Sequence, residues 1–293
     1  MTKSATALCT VFLALAAATP AVAQKRPITP ADLWALARVS SPAVSADGRL
    51  VAYTVTRYDT TSNRSRAEIW VVPTAGGQAR AFVTSEGSNS QPAWSPDGKW
   101  LAFISTRGGK GPQLHVMPTQ GGEARVVTTL EGGASGPVWS RDGTRLLVAS
   151  DVWPENNPGA NRLRALEQRG VGAKVYDDLN YRHWDTWEDG RRSHVFIVEL
   201  SSGQARDLTL GPYDTPPIAL GGAQDYDISP AGDEIAFVRN MTVPEMVGTG
   251  NDIFLVRTAG GEPRRLGTND ANETSPAYSP DGRSIAFLAM KRP

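Results

Sequence analysis

The chain has 293 residues with 30 Lys and Arg against 30 Asp and Glu, a formal net charge of zero, which excludes attachment to nucleic acid or anionic lipid by a global positive field. Its 40% hydrophobic and 20% charged residues are those of a globular chain, not a disordered one. A single cysteine excludes a disulfide scaffold and a cysteine-based zinc site, while 29 Gly and 21 Pro at turn-like positions point to an all-β protein with many tight connections.

Residues 1–23 carry Lys3, an apolar run from Ala5 to Ala18, then Pro20 and the small-residue end Ala21-Val22-Ala23. That order is the signature of a secretory signal peptide, with cleavage expected before Gln24. The apolar core is short for a bilayer span. Cys9 leaves with the signal, and Leu8 before it does not fit a lipoprotein site. The mature chain is therefore expected to be exported, periplasmic or extracellular, with no membrane segment after cleavage. Residues 24–40 form a leader. Thr29-Pro30-Ala31-Asp32 is a capping-box start with Pro at the first helical position. Leu33, Trp34, Leu36 and Ala37 predict a short amphipathic helix packed under the first repeat.

From there the chain repeats itself. Pro42-Ala43-Val44-Ser45-Ala46-Asp47-Gly48 and Pro92-Ala93-Trp94-Ser95-Pro96-Asp97-Gly98 share one pattern. Pro137-Val138-Trp139-Ser140-Arg141-Asp142-Gly143 and Pro276-Ala277-Tyr278-Ser279-Pro280-Asp281-Gly282 repeat it, and Tyr226 to Gly232 is a divergent copy. In each, a strand ends in Ser, Asp closes a local hydrogen bond, and Gly supplies a positive φ before an apolar strand. Each copy therefore predicts a β-hairpin. The first four are followed by a second apolar strand (Ile69–Val72, Leu114–Met117, Val195–Val198, Ile253–Val256), a small-residue turn and a fourth strand. Four strands per repeat predict a β-propeller, with four full blades and half of a fifth in residues 41–293. Blades are expected at about 41–85, 90–130, 136–210, 225–267 and 275–293. The chain ends in the middle of the fifth, which predicts the front part of a longer protein.

The third repeat holds an insertion, residues 154–192. Asn161 to Arg169 predicts a helix. Tyr181-Arg182-His183-Trp184-Asp185-Thr186-Trp187-Glu188-Asp189-Gly190-Arg191-Arg192 then gathers aromatics, a histidine and both charge signs.

Motifs for covalent and metal chemistry are missing. Gly133-Ala134-Ser135-Gly136-Pro137 approaches a nucleophile elbow, but Pro137 replaces the required glycine and a strand follows. His115 and His194 fall at predicted strands and are expected to be structural. Asp185 to Gly190 superficially resembles a calcium loop, but Trp187 occupies a ligand position and Phe196 the closing one. No metal and no cofactor is expected.

The Ser-Pro-Asp-Gly hairpins at Ser95–Gly98 and Ser279–Gly282 resemble repeats shared by TolB-like proteins and prolyl oligopeptidase family (S9) serine peptidases. The leader Ile28 to Leu33 and the Arg182-His183-Trp184-Asp185-Thr186-Trp187 insertion are similar to secreted peptidases of the dipeptidyl-peptidase 5 and acylaminoacyl-peptidase group. The resemblance implies an incomplete propeller from a parent of about seven or eight blades, capping a carboxy-terminal α/β-hydrolase domain with a Ser-Asp-His triad. It implies short peptide substrates and no nucleic-acid partner. This chain ends before any such domain, so no catalytic residue is assigned and the chain itself is expected to be inactive. The competing expectation is a TolB-like periplasmic interaction scaffold. For the insertion, one reading is a substrate flap using Glu167, Arg182, His183, Trp184, Asp185 and Trp187, in which a carboxylate meets a peptide amino group and tryptophan faces pack an apolar residue. The other is that both tryptophans pack for stability over the third repeat.

Overall fold

A computed structural model describes residues 26–155, 158–170, 176, 181–184, 186–218, 221–242, 248, 250–267 and 270–291. The expected signal segment lies outside them. The fold is a β-propeller built from four-stranded antiparallel sheets. The first sheet holds β1 (Arg38–Val44), β2 (Leu50–Asp59), β3 (Arg64–Pro73) and β4 (Arg80–Val83), side by side in chain order. The second holds β5 (Asn89–Trp94), β6 (Trp100–Ser105), β7 (Gln113–Pro118) and β8 (Arg125–Val126). The third joins β9 (Gly132–Trp139) and β10 (Arg145–Val152) to β13 (Arg192–Glu199) and β14 (Ala205–Asp207). Between β10 and β13 lie α2 (Pro158–Gln168) and a small hairpin of β11 (Arg182–His183) and β12 (Thr186–Trp187). The fourth sheet holds β15 (Tyr226–Ile228), β16 (Glu234–Asn240), β17 (Asn251–Arg257) and β18 (Arg264–Arg265). β19 (Ala271–Tyr278) and β20 (Ile285–Lys291) form a final pair.

The repeated turn works as its residues dictate. Gly48, Gly98, Gly143, Gly232 and Gly282 have φ between 69° and 72°. In four of the five turns the preceding serine donates its hydroxyl to the turn aspartate, as Ser95 Oγ does to Asp97 Oδ1 at 2.6 Å. That bond, with the Lys99 amide, holds the Asp97 carboxyl below its ordinary pKa. In the divergent copy Ala231 replaces the aspartate, and Ser229 Oγ turns to Asp233 Oδ1 instead, at 2.7 Å.

Side-chain alternation then stacks the sheets. On β6, Leu101 and Phe103 enter the cluster shared with Ala52, Ile69 and Val71 of the first sheet. Their neighbours Ala102 and Ile104 point the other way, to Leu146 and Val148 of the third. Leu147 of β10 and Ile235 and Phe237 of β16 fill the next interface. Ala236 and Val238 meet Ile285 and Phe287 of the final pair. Each middle strand is thus apolar on both faces, which is why the strands read as continuous apolar runs.

The first strand of the sheets also ties neighbours together. β1, β5, β9 and β19 each carry a register irregularity next to a proline, where a missing amide costs no ladder bond. Ser41, Gln91, Gly136 and Ser275, the residues before those prolines, have φ of 50° to 61°. The Gln91 amide donates to Thr54 Oγ1 of the first sheet at 3.1 Å, and Gly136 N–H donates to Gln91 Oε1 at 2.7 Å. The Tyr226 hydroxyl donates to Gly136 O, and the Ser275 amide to Asp225 Oδ1 at 3.2 Å. Hydrogen bonds thereby cross every sheet interface. The repeat tryptophans add more: the indoles of Trp94 and Trp139 donate to Ala43 O and Ala93 O, both at 3.0 Å.

The leader departs from expectation. α1 (Pro30–Ala35) has the predicted capping box of Thr29 and Asp32, but it buries no residue. Trp34 lies edge-on to Tyr58 at 5.4 Å, with the Arg38 guanidinium over both rings. Six residues are too few to lay a continuous apolar stripe on a sheet. The insertion helix starts at Pro158, three residues earlier than expected, because proline suits a first turn.

Candidate functional site

Strand alternation builds a cavity beside the third sheet. On β10, Leu147 and Ala149 face the interface with the fourth sheet, and Asp151, next on that face, passes beyond the apolar cluster. On the adjoining β13, Ile197 and Val195 lead in the same way to Ser193. Both end residues line a cavity of about 700 Å³. Its wall continues through the proline-marked bulges, Pro42, Pro92 and Pro137, and through Pro216 and Pro217 of the loop after β14. Trp187, Glu188, Asp189 and Arg191 of the insertion close another side. Rigid proline rings and one indole supply apolar surface, and the carboxylates supply charge.

The carboxylates differ in their partners. Asp214 Oδ1 accepts the Ser193 amide at 2.8 Å, and Oδ2 lies 3.6 Å from Arg192 Nε. Glu188 Oε2 lies 3.3 Å from Arg192 Nη1. Asp189 Oδ2 lies 3.8 Å from Arg191 Nε. The Asp151 side chain makes no direct hydrogen bond or ion pair among the described residues. Desolvation, then the nearby Asp189 charge, raises its carboxyl above the ordinary range, against the pull of Arg191. Burial likewise raises Asp214 and Glu188 despite Arg192. A carboxylate in this setting gains from a cation brought to it.

Of the residues singled out in the sequence, Trp187 lines the cavity. It is 47% exposed and stacked by Tyr176 and Tyr181, both at 6.0 Å, with the Arg182 guanidinium 5.5 Å over its ring. Glu167 is exposed on α2 and paired with Arg191 at 3.3 Å. His183 meets Trp184 edge-on. Trp184 sits at the hairpin tip, 83% exposed. None of Glu167, Arg182, His183 and Trp184 lines the cavity, and Asp185 lies outside the described residues. Glu188 and Asp189 fell within the charged insertion stretch without being singled out, and Asp151 and Asp214 escaped sequence reasoning, since they meet the insertion only in three dimensions. Asp151 did leave a trace, as a lone charge ending the apolar run Leu146–Ser150.

The two remaining histidines are built into strands. His115 stacks on Phe103 at 5.7 Å. His194 places Nδ1 2.6 Å from Asp207 Oδ2 and Nε2 3.0 Å from Gly211 O. Among the described residues no three His, Cys, Asp or Glu side chains converge as metal ligands would. Nor is any helix there long and apolar enough to cross a membrane.

Comparison with known proteins places this architecture. Residues 35–169 match the family PD40, TolB beta propeller domain. Dipeptidyl-peptidase 5 of Porphyromonas gingivalis is 32% identical over 272 residues, which cover 90% of this chain and 39% of that protein. The chain thus spans about two fifths of that relative's length. Among solved structures, the acylaminoacyl peptidase of Pyrococcus horikoshii superposes with a TM-score of 0.60 at 19% identity, covering 87% of this chain and 36% of that one. A TolB-like protein of Agrobacterium tumefaciens gives 0.55 at 18% identity, covering 87% of this chain and 71% of that one. Both likenesses are of fold.

Proposed function

Because the chain carries a PD40 β-propeller and is homologous over most of its length with proteins named dipeptidyl-peptidase 5, we propose that it is the substrate-gating propeller of an exported S9-type serine peptidase acting on short peptides. Hydrolysis itself would belong to an α/β-hydrolase domain of the full-length enzyme, since this chain offers no nucleophile elbow. Its own task is admission and orientation. A cavity of about 700 Å³ accommodates a few residues of extended peptide and shuts out a folded protein.

The observation that carries this reading is that the Asp151 carboxyl, desolvated and without an ion pair among the described residues, lines the same cavity as the proline rings and Trp187. A short peptide brings a free ammonium group and small apolar side chains, and both halves of that chemistry are supplied. The carboxylate would take the ammonium, and the rings would take the side chains. In the flap reading, Trp187 contacts the peptide while Arg182, His183, Trp184, Asp185 and Glu167 border its route.

The test is calorimetric titration of this chain with short peptides whose amino terminus is free or acetylated. Free peptides are expected to bind, and acetylation or Asp151→Asn to weaken binding about tenfold or more, the cost of one charge-assisted hydrogen bond. No binding by either series would turn attention to an interaction scaffold, which the TolB likeness supports. Equal binding by both series would remove Asp151 from the site.

A further inference from the structure

Two adjacent arginines at the start of β13 face different parts of the molecule. Arg191 turns to α2, pairing with both carboxylate oxygens of Glu167 at 3.3 and 3.4 Å, and lies 5.2 Å over the Trp153 ring. Arg192 turns to Glu188 and Asp214, two residues of the cavity wall that Arg191 also lines. Its Nη1 donates to Glu188 Oε2 at 3.3 Å, in the segment just after the β11–β12 hairpin. Its Nε donates to Pro212 O at 3.2 Å and stands 3.6 Å from Asp214 Oδ2, both in the loop after β14.

Among the described residues, the two segments that Arg192 touches share no other direct polar bond, and each has its own anchor. The Glu188 amide donates to Tyr181 O at 3.0 Å, which closes the hairpin on itself. The loop is held from behind. Arg239 donates to Thr209 O at 2.6 Å and Thr215 Oγ1 at 3.1 Å, the Thr215 amide donates to Ser193 O at 2.6 Å, and His194 spans Asp207 and Gly211 O. The loop is therefore pinned to the sheet, and among the described residues the hairpin meets it through one guanidinium.

We propose that Arg192 is the positioning residue that docks the insertion hairpin against the 209–217 loop, so that the width of the cavity between Trp187 and Pro216 is set by one forked cation shared by Glu188 and Asp214. This deepens the peptide-gating reading by naming what holds the flap. It gives the flap a defined hinge pin, and the planar fork matters because Nε and Nη1 serve different segments at once.

The electrostatic surroundings give the docking a direction in pH. The groups that face Arg192 and its partners are Asp151 of β10, His194 of β13, Glu188 and Asp189 of the insertion, Asp214 of the loop, and Arg191. Burial lifts Glu188 and Asp214 above the ordinary carboxylate range in the docked form. A docked form that binds protons more tightly is favoured by acid. Docking therefore weakens as pH rises from about 4 through the raised values. Removing the guanidinium leaves two facing carboxylates, whose repulsion only protonation relieves.

The experiment uses the whole chain without peptide. Amide exchange is followed at Glu188 and Thr215, with Val195 to Val198 as a control. A 5-fluorotryptophan resonance, assigned through Trp187→Phe, reports the indole. Arg192→Met is expected to speed exchange at Glu188 by about tenfold or more at neutral pH, as loss of a hydrogen-bonded charge pair predicts, to move the Trp187 resonance toward its exposed position, and to leave the control unchanged. Acidification is expected to restore docking. Unchanged Glu188 exchange, or a loss that acid does not restore, overturns the proposal. If Arg192→Met fails to fold, Glu188→Gln decides: it should flatten the pH response of Trp187 while Thr215 protection persists, and a full remaining response refutes the assignment. None of these readouts needs a ligand, so failure here leaves the peptide reading standing, and failure of the peptide titration leaves the hinge pin standing.

Discussion

Gly136 is held from both sides, and a double-mutant cycle can measure that grip. Its N–H donates to Gln91 of the second sheet and its carbonyl accepts the Tyr226 hydroxyl of the fourth. A Cβ added at Gly136 would clash with that hydroxyl oxygen and fall 3.0 Å from Ala223 Cβ, at a φ of +61°. Gly136→Ala must therefore take on left-handed strain of about 1–2 kcal/mol and displace the phenol, losing about 1–3 kcal/mol more from the stranded carbonyl. Tyr226→Phe removes the same bond without a clash and should cost about 1–2 kcal/mol. In the double variant the bond is lost once, and the oxygen that obstructed Cβ is gone. The two costs should therefore fall short of additivity by about 1–2 kcal/mol. Urea unfolding followed by near-ultraviolet circular dichroism would read Gly136→Ala as a midpoint drop of roughly 1 M for a slope of about 3 kcal/mol per M. Additivity within about 0.5 kcal/mol would refute the idea that these residues form one junction.

Two further outcomes test the sheet interfaces. Trp139→Phe keeps a ring in place but deletes the indole bond to Ala93 O; a loss of about 1–2 kcal/mol is expected in the same unfolding assay, and unchanged stability would show that water replaces the indole at no cost. Asp225 is buried, and burial lifts its carboxyl above the ordinary value while it accepts the Ser275 amide. The folded state thus keeps a proton that the unfolded state releases, so this group subtracts stability as pH rises from about 4 through its raised value. Asp225→Asn should flatten the stability–pH profile over that window, and an unaltered slope would mean the carboxyl is not desolvated.

The turns and central strands were legible because their chemistry is local. Ser95, Asp97 and Gly98 need only one another to form their turn, and the second strands of each repeat carry enough Val, Ile and Leu to declare themselves. The bulges were less visible, although Pro42, Pro92, Pro137 and Pro276 marked them: a proline inside a strand signals an irregularity. Glycine at 136 suits a positive φ, but nothing local indicated that Ser41, Gln91 and Ser275 adopt one too; tertiary bonds such as that from the Gln91 amide to Thr54 stabilise that conformation. The site was legible in part. The aromatic insertion drew notice to Trp187, but composition weights exposed and lining residues alike, and Trp184 looks equally prominent in the sequence. Asp151 and Asp214 stand 63 positions apart and face the same space only because β10 and β13 lie side by side and the loop after β14 folds back.

The two-faced burial of the middle strands alters what protects them from slipping by a residue. In a sheet with one wet side, such a slip would push grease into solvent and be penalised by polarity. Over Leu101–Ile104 of β6 and Ile235–Val238 of β16 a slip would exchange one buried apolar residue for another, so polarity penalises it only at the strand ends, through the buried Ser105, Arg239 and Asn240. What discriminates is bulk: Leu101 and Phe103 would trade places with Ala102 and Ile104, and Ile235 and Phe237 with Ala236 and Val238. The alternation of large and small, anchored at one end by each Ser-Asp-Gly corner, acts as a key cut by size, and exchanging Ala102 for a larger side chain would blunt that key before it removed any polar contact.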